Sequence, residues 1–447
     1  MKKGGKVYKK KESIKSNKHM NKSYNKRRDN IMSITIQNGK EDILKINQIM
    51  KNSYLYNIMF DNDGNYIVAG YTELKDQNIN NGLIIKLDSN LNVLAVKIYN
   101  EDDYGSFYDI AVDDDGNYVV VGFTHLKNEN KDNALIVKLD SNLNILATKI
   151  YNKADYDYFY NIKIDDDGNY IVVGRSDSNL NSNLNILTAE TYDKDDYDYP
   201  YDLAVDDDGN YIAIKRSDSD LEDQENSNGL IVKFDKNLNI INSKIYRIND
   251  DSSFSSMAID KDGNYIAVGY IELKNKRCDD ALIVKFDKNF NILAAETYGG
   301  NKNNYFRDIV INDNNDYIVI GYTHLKNQDY HSALIAKFDS NLNILNNKVY
   351  AKAYYDDFSS IAIDNDGNYI VAGYTELEDR NKCNILIIKF DRNLNKLATK
   401  IYNEDNYSYP YDLAVDDNGN CIIIKYISIE DKDHDNNLIV KFEKIQI

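Results

Sequence analysis

Short apolar runs alternate with acidic, Asn-rich turns along most of the chain. One stretch shows the pattern. Tyr108-Asp109-Ile110-Ala111-Val112 leads into the turn Asp113-Asp114-Asp115-Gly116-Asn117, and the apolar run Tyr118–Thr124 follows. After a polar connection come Ala134–Leu139, a Ser-Asn-Leu-Asn turn and Ile145–Tyr151. Runs this short, rich in β-branched and aromatic residues and bounded by Asp, Asn and Gly, predict β-strands, four to the unit. No helical period competes with them. The acidic turn suits a hairpin in which Gly takes the left-handed position and the first Asp caps the loop with its own side chain. The second run is apolar on both faces, as expected for a strand packed between neighbours.

The unit repeats. Its turn begins at Asp61, Asp113, Asp165, Asp206, Asp260, Asn312, Asp364 and Asp416, and five of the seven intervals are 52 residues. Four antiparallel strands in about 50 residues predict the blade of a β-propeller. The expected fold is therefore all-β, a single eight-bladed β-propeller of four-stranded antiparallel blades. The chain finishes on a third strand, Leu438–Phe442, and Ile43–Ile49 would supply the missing fourth. That pairing would close blade 8 and remove an exposed edge. Blade 3 is short between Gly174 and Tyr192, so it is expected to be three-stranded, with Asn179–Ser182 as a tight connection. Units 1 to 3 recur 199 residues later as units 5 to 7, which points to duplication of a four-blade half. His125 and His324 share one motif across the halves, and Tyr-Pro-Tyr-Asp at 199–202 and 409–412 holds the only prolines.

Unit 6 carries a further signal. Tyr298-Gly299-Gly300, Asp308–Ile311, Tyr317–Thr323 and Ala333–Asp339 together resemble the bacterial β-propeller repeat family over residues 42 to 447. The resemblance implies a propeller and no particular catalysis. The chain departs from the family in having no Trp, and Asn or Lys where Pro-Gly would stand at the third turn.

Charge divides the chain. Residues 1–31 hold twelve Lys/Arg against Glu12 and Asp29, so a segment at +10 precedes a remainder at −28, for −18 overall. We read 1–31 as a disordered basic tail and 32–447 as the propeller domain. The acidic balance argues against nucleic acid as a partner of the ring. No run reaches the roughly 18 apolar residues of a membrane helix. The basic start lacks an apolar segment of the secretory type, so a cytoplasmic monomer is expected, with the cell surface or secretion as the alternative if the start lies elsewhere. Cys278, Cys383 and Cys421 form no CxxC, and a disulfide framework is not expected.

Candidate chemistry concentrates where each blade begins. One column reads Asn57, Asp109, Asn161, Asp202, Ser256, Asp308, Ser360 and Asp412, with Asp in the even blades. The residue before it reads Tyr56, Tyr108, Tyr160, Tyr201, Ser255, Arg307, Ser359 and Tyr411. The residue before that is Phe in five blades and reads as core. Asp109, Asp202, Asp308 and Asp412 with Tyr108, Tyr160, Tyr201 and Tyr411 would form a channel mouth able to bind cations or sugars by stacking and hydrogen bonding. The competing reading is that each Asp caps its own backbone. Lys215 and Lys425 replace a Gly kept in the other blades and would need a carboxylate or solvent.

The acidic turns lack the ligand spacing of a calcium loop, and His125 and His324 lie in opposite blades, so neither a metal nor another cofactor is expected. The expected function is a non-catalytic binding or scaffold module for a protein segment or glycan. The alternative is a hydrolase or lyase on polysaccharide, which would need a carboxylate pair about 5–9.5 Å apart with divergent pKa values.

Overall fold

The computed structural model describes residues 53–73, 80–99, 104–126, 131–151, 157–165, 168–176, 200–218, 227–234, 240–246, 252–272, 278–300, 302–325, 330–353, 355–376, 383–402, 407–415, 419–428 and 436–442. The expected basic tail, the closing strand at 43–49 and the Asn179–Ser182 connection lie outside the described residues.

Every described element is a β-strand or a turn, and the strands form eight antiparallel sheets. Six have four strands in simple sequential order, the sheet of unit 3 has two, and the last has three. Sheet 2 is representative: Tyr104–Val112, Tyr118–His125, Asp132–Leu139 and Ile145–Tyr151 pair in that order. Successive sheets pack face to face. One core joins Ile67, Ala69 and Ile84 of sheet 1 to Phe107, Ile110 and Tyr118 of sheet 2. Another joins Leu55, Ile58 and Val68 of sheet 1 to Ile422, Ile424 and Ile439 of the last sheet, so the first and last sheets meet. The protein is an all-β propeller of antiparallel, four-stranded blades.

Both kinds of hairpin use the same turn. In the first, Gly64 donates its N–H to the Asp61 carbonyl and Asp61 donates to the Asn65 carbonyl, with Gly64 at φ 77°. In the second, a bulky residue holds the left-handed position: Leu91, Leu143, Phe290, Leu342 and Leu394 all have φ between 61° and 66°. Left-handed backbone costs such residues on the order of 1 kcal/mol. Burial offsets it, since Leu143, Phe290, Leu342 and Leu394 all lie in the packed interior.

The acidic turns are tied into the seams between blades. Asp61 Oδ2 meets Lys86 Nζ of its own sheet at 2.9 Å and accepts from the Tyr118 hydroxyl of the next sheet at 2.8 Å. Lys86 also donates to that hydroxyl at 2.8 Å. The triad recurs as Asp113–Lys138–Tyr170, Asp206–Lys233–Tyr265 and Asp260–Lys285–Tyr317. Burial pushes the Asp61 carboxyl up, but hydrogen bonds from Lys86, Asn65 and Tyr118 outweigh it and hold it at about 2. In sheet 6 the charge has moved. Asn312 stands where the other turns have Asp, and Asp316, four residues on, meets Lys337 at 2.8 Å. The Asn312 amide donates to Asp316 and to the Tyr369 hydroxyl. The lysine keeps a carboxylate although the sequence positions are exchanged.

Candidate functional site

The start of each blade carries a β-bulge. In sheet 2, Phe107 pairs with Gly122 and Asp109 with Val121, so Tyr108 is the extra residue with no partner in the ladder. The same shift falls between Leu55 and Asn57, Pro200 and Asp202, Phe254 and Ser256, Phe306 and Asp308, Phe358 and Ser360, and Pro410 and Asp412. In sheet 3 the partner strand shifts between Val173 and Gly174, opposite Asn161 and Phe159. The column Tyr56 to Tyr411 is thus the set of bulge residues, and a bulge re-aims its side chain out of the sheet. The residues just before it are core, as expected: Leu55, Phe107, Phe159, Phe254, Phe306 and Phe358 are at most 1% exposed.

The glycine paired with the Phe is dictated by the bulge. A Cβ on Gly122 would lie 1.9 Å from the Ser106 carbonyl oxygen, and one on Gly269 would lie 1.9 Å from that of Ser253. Lys215 and Lys425 stand in this register opposite Pro200 and Pro410, so the two lysines and the two prolines of the chain occur as cross-strand pairs. The backbones of Tyr201, Tyr411, Lys215 and Lys425 are placed on their strands, and their side chains lie outside the described residues.

Three of the predicted aromatic positions come together. Tyr56, Tyr108 and Tyr160 form a row across three blades, with centroids 5.2 and 5.3 Å apart. Tyr71 stands beside Tyr56 at 6.0 Å and Tyr158 stacks on Tyr160 at 6.0 Å. The row rings are half-buried.

The four carboxylates fasten neighbouring blades. Asp109 Oδ1 accepts from the Ile110 N–H at 2.9 Å, and its Oδ2 accepts from the Ile162 N–H of the next blade at 2.8 Å. Asp202 reaches Met257, Asp308 reaches Ile361 and Asp412 reaches Ile58 in the same way, each also accepting from its own following amide. Each Asp caps backbone, as the competing reading held, and the cap extends across the seam. Burial pushes all four carboxyls up, Asp109 to about 7 and Asp308 to about 6, against the pull of these amides. The ammonium of Lys163, exposed on the first strand of blade 3, draws Asp109, Asp202 and Asp412 back down without reversing the direction.

The Ser256 hydroxyl lies 3.2 Å from Asp202 Oδ2 and 3.0 Å from Asp308 Oδ1. One hydroxyl has one proton to donate. A proton on either carboxyl would complete the chain of three oxygens, and burial pushes both carboxyls up.

The opposite half-ring differs. Ser255, Arg307 and Ser359 take the bulge positions that are Tyr56, Tyr108 and Tyr160 199 residues earlier. Arg307 Nε donates to Asp357 Oδ2 at 2.9 Å, and Nη2 meets the same oxygen at 2.9 Å. Its guanidinium lies 5.5 Å over the Tyr322 ring. Asp357 is 1% exposed, and burial pushes its carboxyl up to about 6 although Arg307 pulls it down. His331 packs between Tyr322 and Tyr355, at 4.4 and 4.8 Å, and burial pushes its imidazole down to about 4. In the first half the corresponding place holds Asp132, which accepts from Tyr104 and Tyr158 and pairs with His125 at 2.9 Å. Of these groups the sequence showed Arg307, the one cation in its column, and His125, through the motif it shares with His324. Asp357 and Tyr322 meet Arg307 through contacts that no local motif carries. Among the described residues no three His, Cys, Asp or Glu side chains converge as a metal site would require.

No family model matches the chain, and no curated protein matches it. Among solved structures it is similar to the Dos1 propeller, at 11% identity and a TM-score of 0.40, covering 87% of this chain and 78% of that one. It is also similar to the β-propeller domain of the Trilobed protease from Pyrococcus furiosus, at 10% identity and 0.44, covering 89% and 97%. A third is YCF48 bound to D1 peptide, at 9% and 0.42, covering 88% and 92%. Such likeness concerns fold alone, and the resemblance to the bacterial β-propeller repeat family narrows to the propeller itself. Among the described residues no helix is long and apolar enough to cross a membrane.

Proposed function

We propose that the protein is a non-catalytic binding module, an eight-bladed ring that takes a glycan or protein segment on the face lined by its bulge residues. The observation that carries this reading is the row Tyr56–Tyr108–Tyr160, three half-buried rings set side by side on residues that the sheets do not use for pairing. Aromatic side chains so placed offer stacking area and a polar tip at little entropic cost. The eight sheets and the contact between the first and the last support eight blades. Ile43–Ile49 as the latch of blade 8 and a third strand in blade 3 remain part of this proposal and lie outside the described residues.

The alternative, a hydrolase or lyase acting on polysaccharide, needs two carboxylates with a substrate between them. Asp202 and Asp308 both meet the Ser256 hydroxyl, which stands between them, while backbone amides occupy both carboxylates. The test is partner capture and a glycan array with the full chain, its Tyr108→Ala/Tyr160→Ala variant and its Tyr201→Ala/Tyr411→Ala variant. Loss of at least tenfold in affinity in either variant supports the reading. Binding that is unchanged in both removes the mouth as the site.

A further inference from the structure

We propose that Arg307 and its surroundings form a subsite for the carboxylate of an acidic sugar, a uronic-acid residue within a glycan held on the bulge face. This deepens the binding reading above and rests on it.

The first support is how the arginine is built in. Its Nε and Nη2 are committed to one oxygen of a carboxylate that is itself 1% exposed, and Tyr322 lies beneath its plane. A guanidinium fixed on one edge presents its remaining donors in a set direction, which suits a planar oxyanion. Among the described residues Nη1 has no partner, and the side chain remains 46% exposed.

The second support is the space beside it. In the first half-ring the bulge positions hold three touching tyrosines. In the second, serines flank the arginine on both sides. Ser255 and Ser359 are each smaller by a ring than the tyrosines at the matching bulge positions of the first half, and Tyr322, His331 and Tyr355 stack on one another near the arginine.

The third is the chemistry of the surface around it. The six bulge residues from Tyr56 to Ser359, omitting Tyr201, are tyrosine, serine or arginine, and none is aliphatic. Hydroxyls and ring faces match the hydroxyls and C–H faces of a sugar. A peptide side chain would find little aliphatic area there. An arginine supplies what a neutral sugar does not require, a cation for a carboxylate. The ring as a whole is strongly acidic, so one fixed guanidinium favours a lightly charged ligand over a dense polyanion.

The test is an array of uronic-acid-containing oligosaccharides, each beside its carboxyl-reduced form, probed with the full chain and followed by calorimetry on the best binder. The expected result is binding of a uronide, at least tenfold weaker for the reduced sugar. Arg307→Gln should show the same tenfold loss and no further discrimination between the two forms. Ser359→Tyr, which installs the residue of the other half-ring, should fold as the parent does and lose the uronide by obstruction. Equal binding of reduced and unreduced sugars, or an Arg307→Gln variant that still discriminates, overturns the subsite while leaving the bulge face as a glycan site. Silence of every uronide also overturns it. If a peptide with a free carboxylate binds through Arg307 and the uronides do not, the sugar assignment is wrong.

Discussion

The exchanged turn of sheet 6 predicts an exchange elsewhere. In sheet 5, Asp260 accepts from Tyr317 at 2.8 Å and pairs with Lys285 at 2.9 Å, and the Asn264 amide donates to its two oxygens at 3.1 and 3.0 Å. The Lys285 side chain is 9% exposed and that of Asp260 is 0% exposed. Asp260→Asn alone strands a buried ammonium, and breaking a buried pair from one side costs about 3–5 kcal/mol. Asn264→Asp alone sets a second carboxylate against the first and should cost about 2 kcal/mol, moderated by Lys285. The double variant reproduces Asn312 and Asp316, which hold Lys337 at 2.8 Å and Tyr369 at 3.0 Å. It should fall within about 1 kcal/mol of the parent, because cation, carboxylate, amide and phenol are all present again. For a ring of this size about 1 kcal/mol moves the melting temperature by about 1–2 °C. Calorimetry should therefore place Asp260→Asn about 3–10 °C below the parent and the double variant within about 2 °C of it. A double variant as unstable as the sum of its parts would refute the claim that the network asks for a carboxylate near the lysine and not for Asp at the first turn position.

The remaining predictions concern the carboxyls and the glycines. Asp109, Asp308 and Asp357 are held above the ordinary value, so the folded state binds protons that the unfolded state releases, and stability should fall as pH rises from about 4 through about 7. Asp61 and Asp113, held at about 2, act in the opposite sense, their contribution being present above about 4 and lost as pH falls through about 2. Melting temperature measured from pH 2 to 8 should peak between about 4 and 5, and a steady rise from pH 5 to 8 would contradict the assignment of raised carboxyls. Gly269→Ala should cost about 3 kcal/mol, since its methyl would sit 1.9 Å from the Ser253 carbonyl oxygen. Gly300→Ala, with nothing within 4 Å, is the control, and equal stability of the two would refute the steric account.

Strands and turns were legible because each is written in a few adjacent residues. Tyr118–Thr124 reads as a buried strand and Asp113–Asn117 as its turn without reference to the rest of the chain. The Phe column was legible too, since Phe107 and Phe306 are large, apolar and periodic. What could not be read is where chain-distant units meet. Asp109 accepts from Ile162 and Lys86 donates to Tyr118, 53 and 32 residues away, and neither partner carries a distinctive motif. The even-blade Asp column looked like a charged mouth because its amide partners belong to the next unit. The bulge was hidden for another reason. An aligned column shows that Tyr108 and Arg307 are equivalent, but only the register shows that neither has a cross-strand partner. Arg307 stood in plain view, and its anchor Asp357 lay in the following unit.

One residue per blade stands outside the ladder, and that has a consequence for how such a ring can change. A paired strand position must answer to its partner, to the sheet face behind it and to the neighbouring blade. A bulge residue answers to few of these, so Tyr, Ser and Arg occupy it in one molecule while the Phe beside it stays fixed. A repeated unit thus holds several copies of a position that can vary without loosening the fold. The ring behaves as a fixed dial with interchangeable marks: on the same ladder, Tyr56, Tyr108 and Tyr160 of one half stand where Ser255, Arg307 and Ser359 stand in the other.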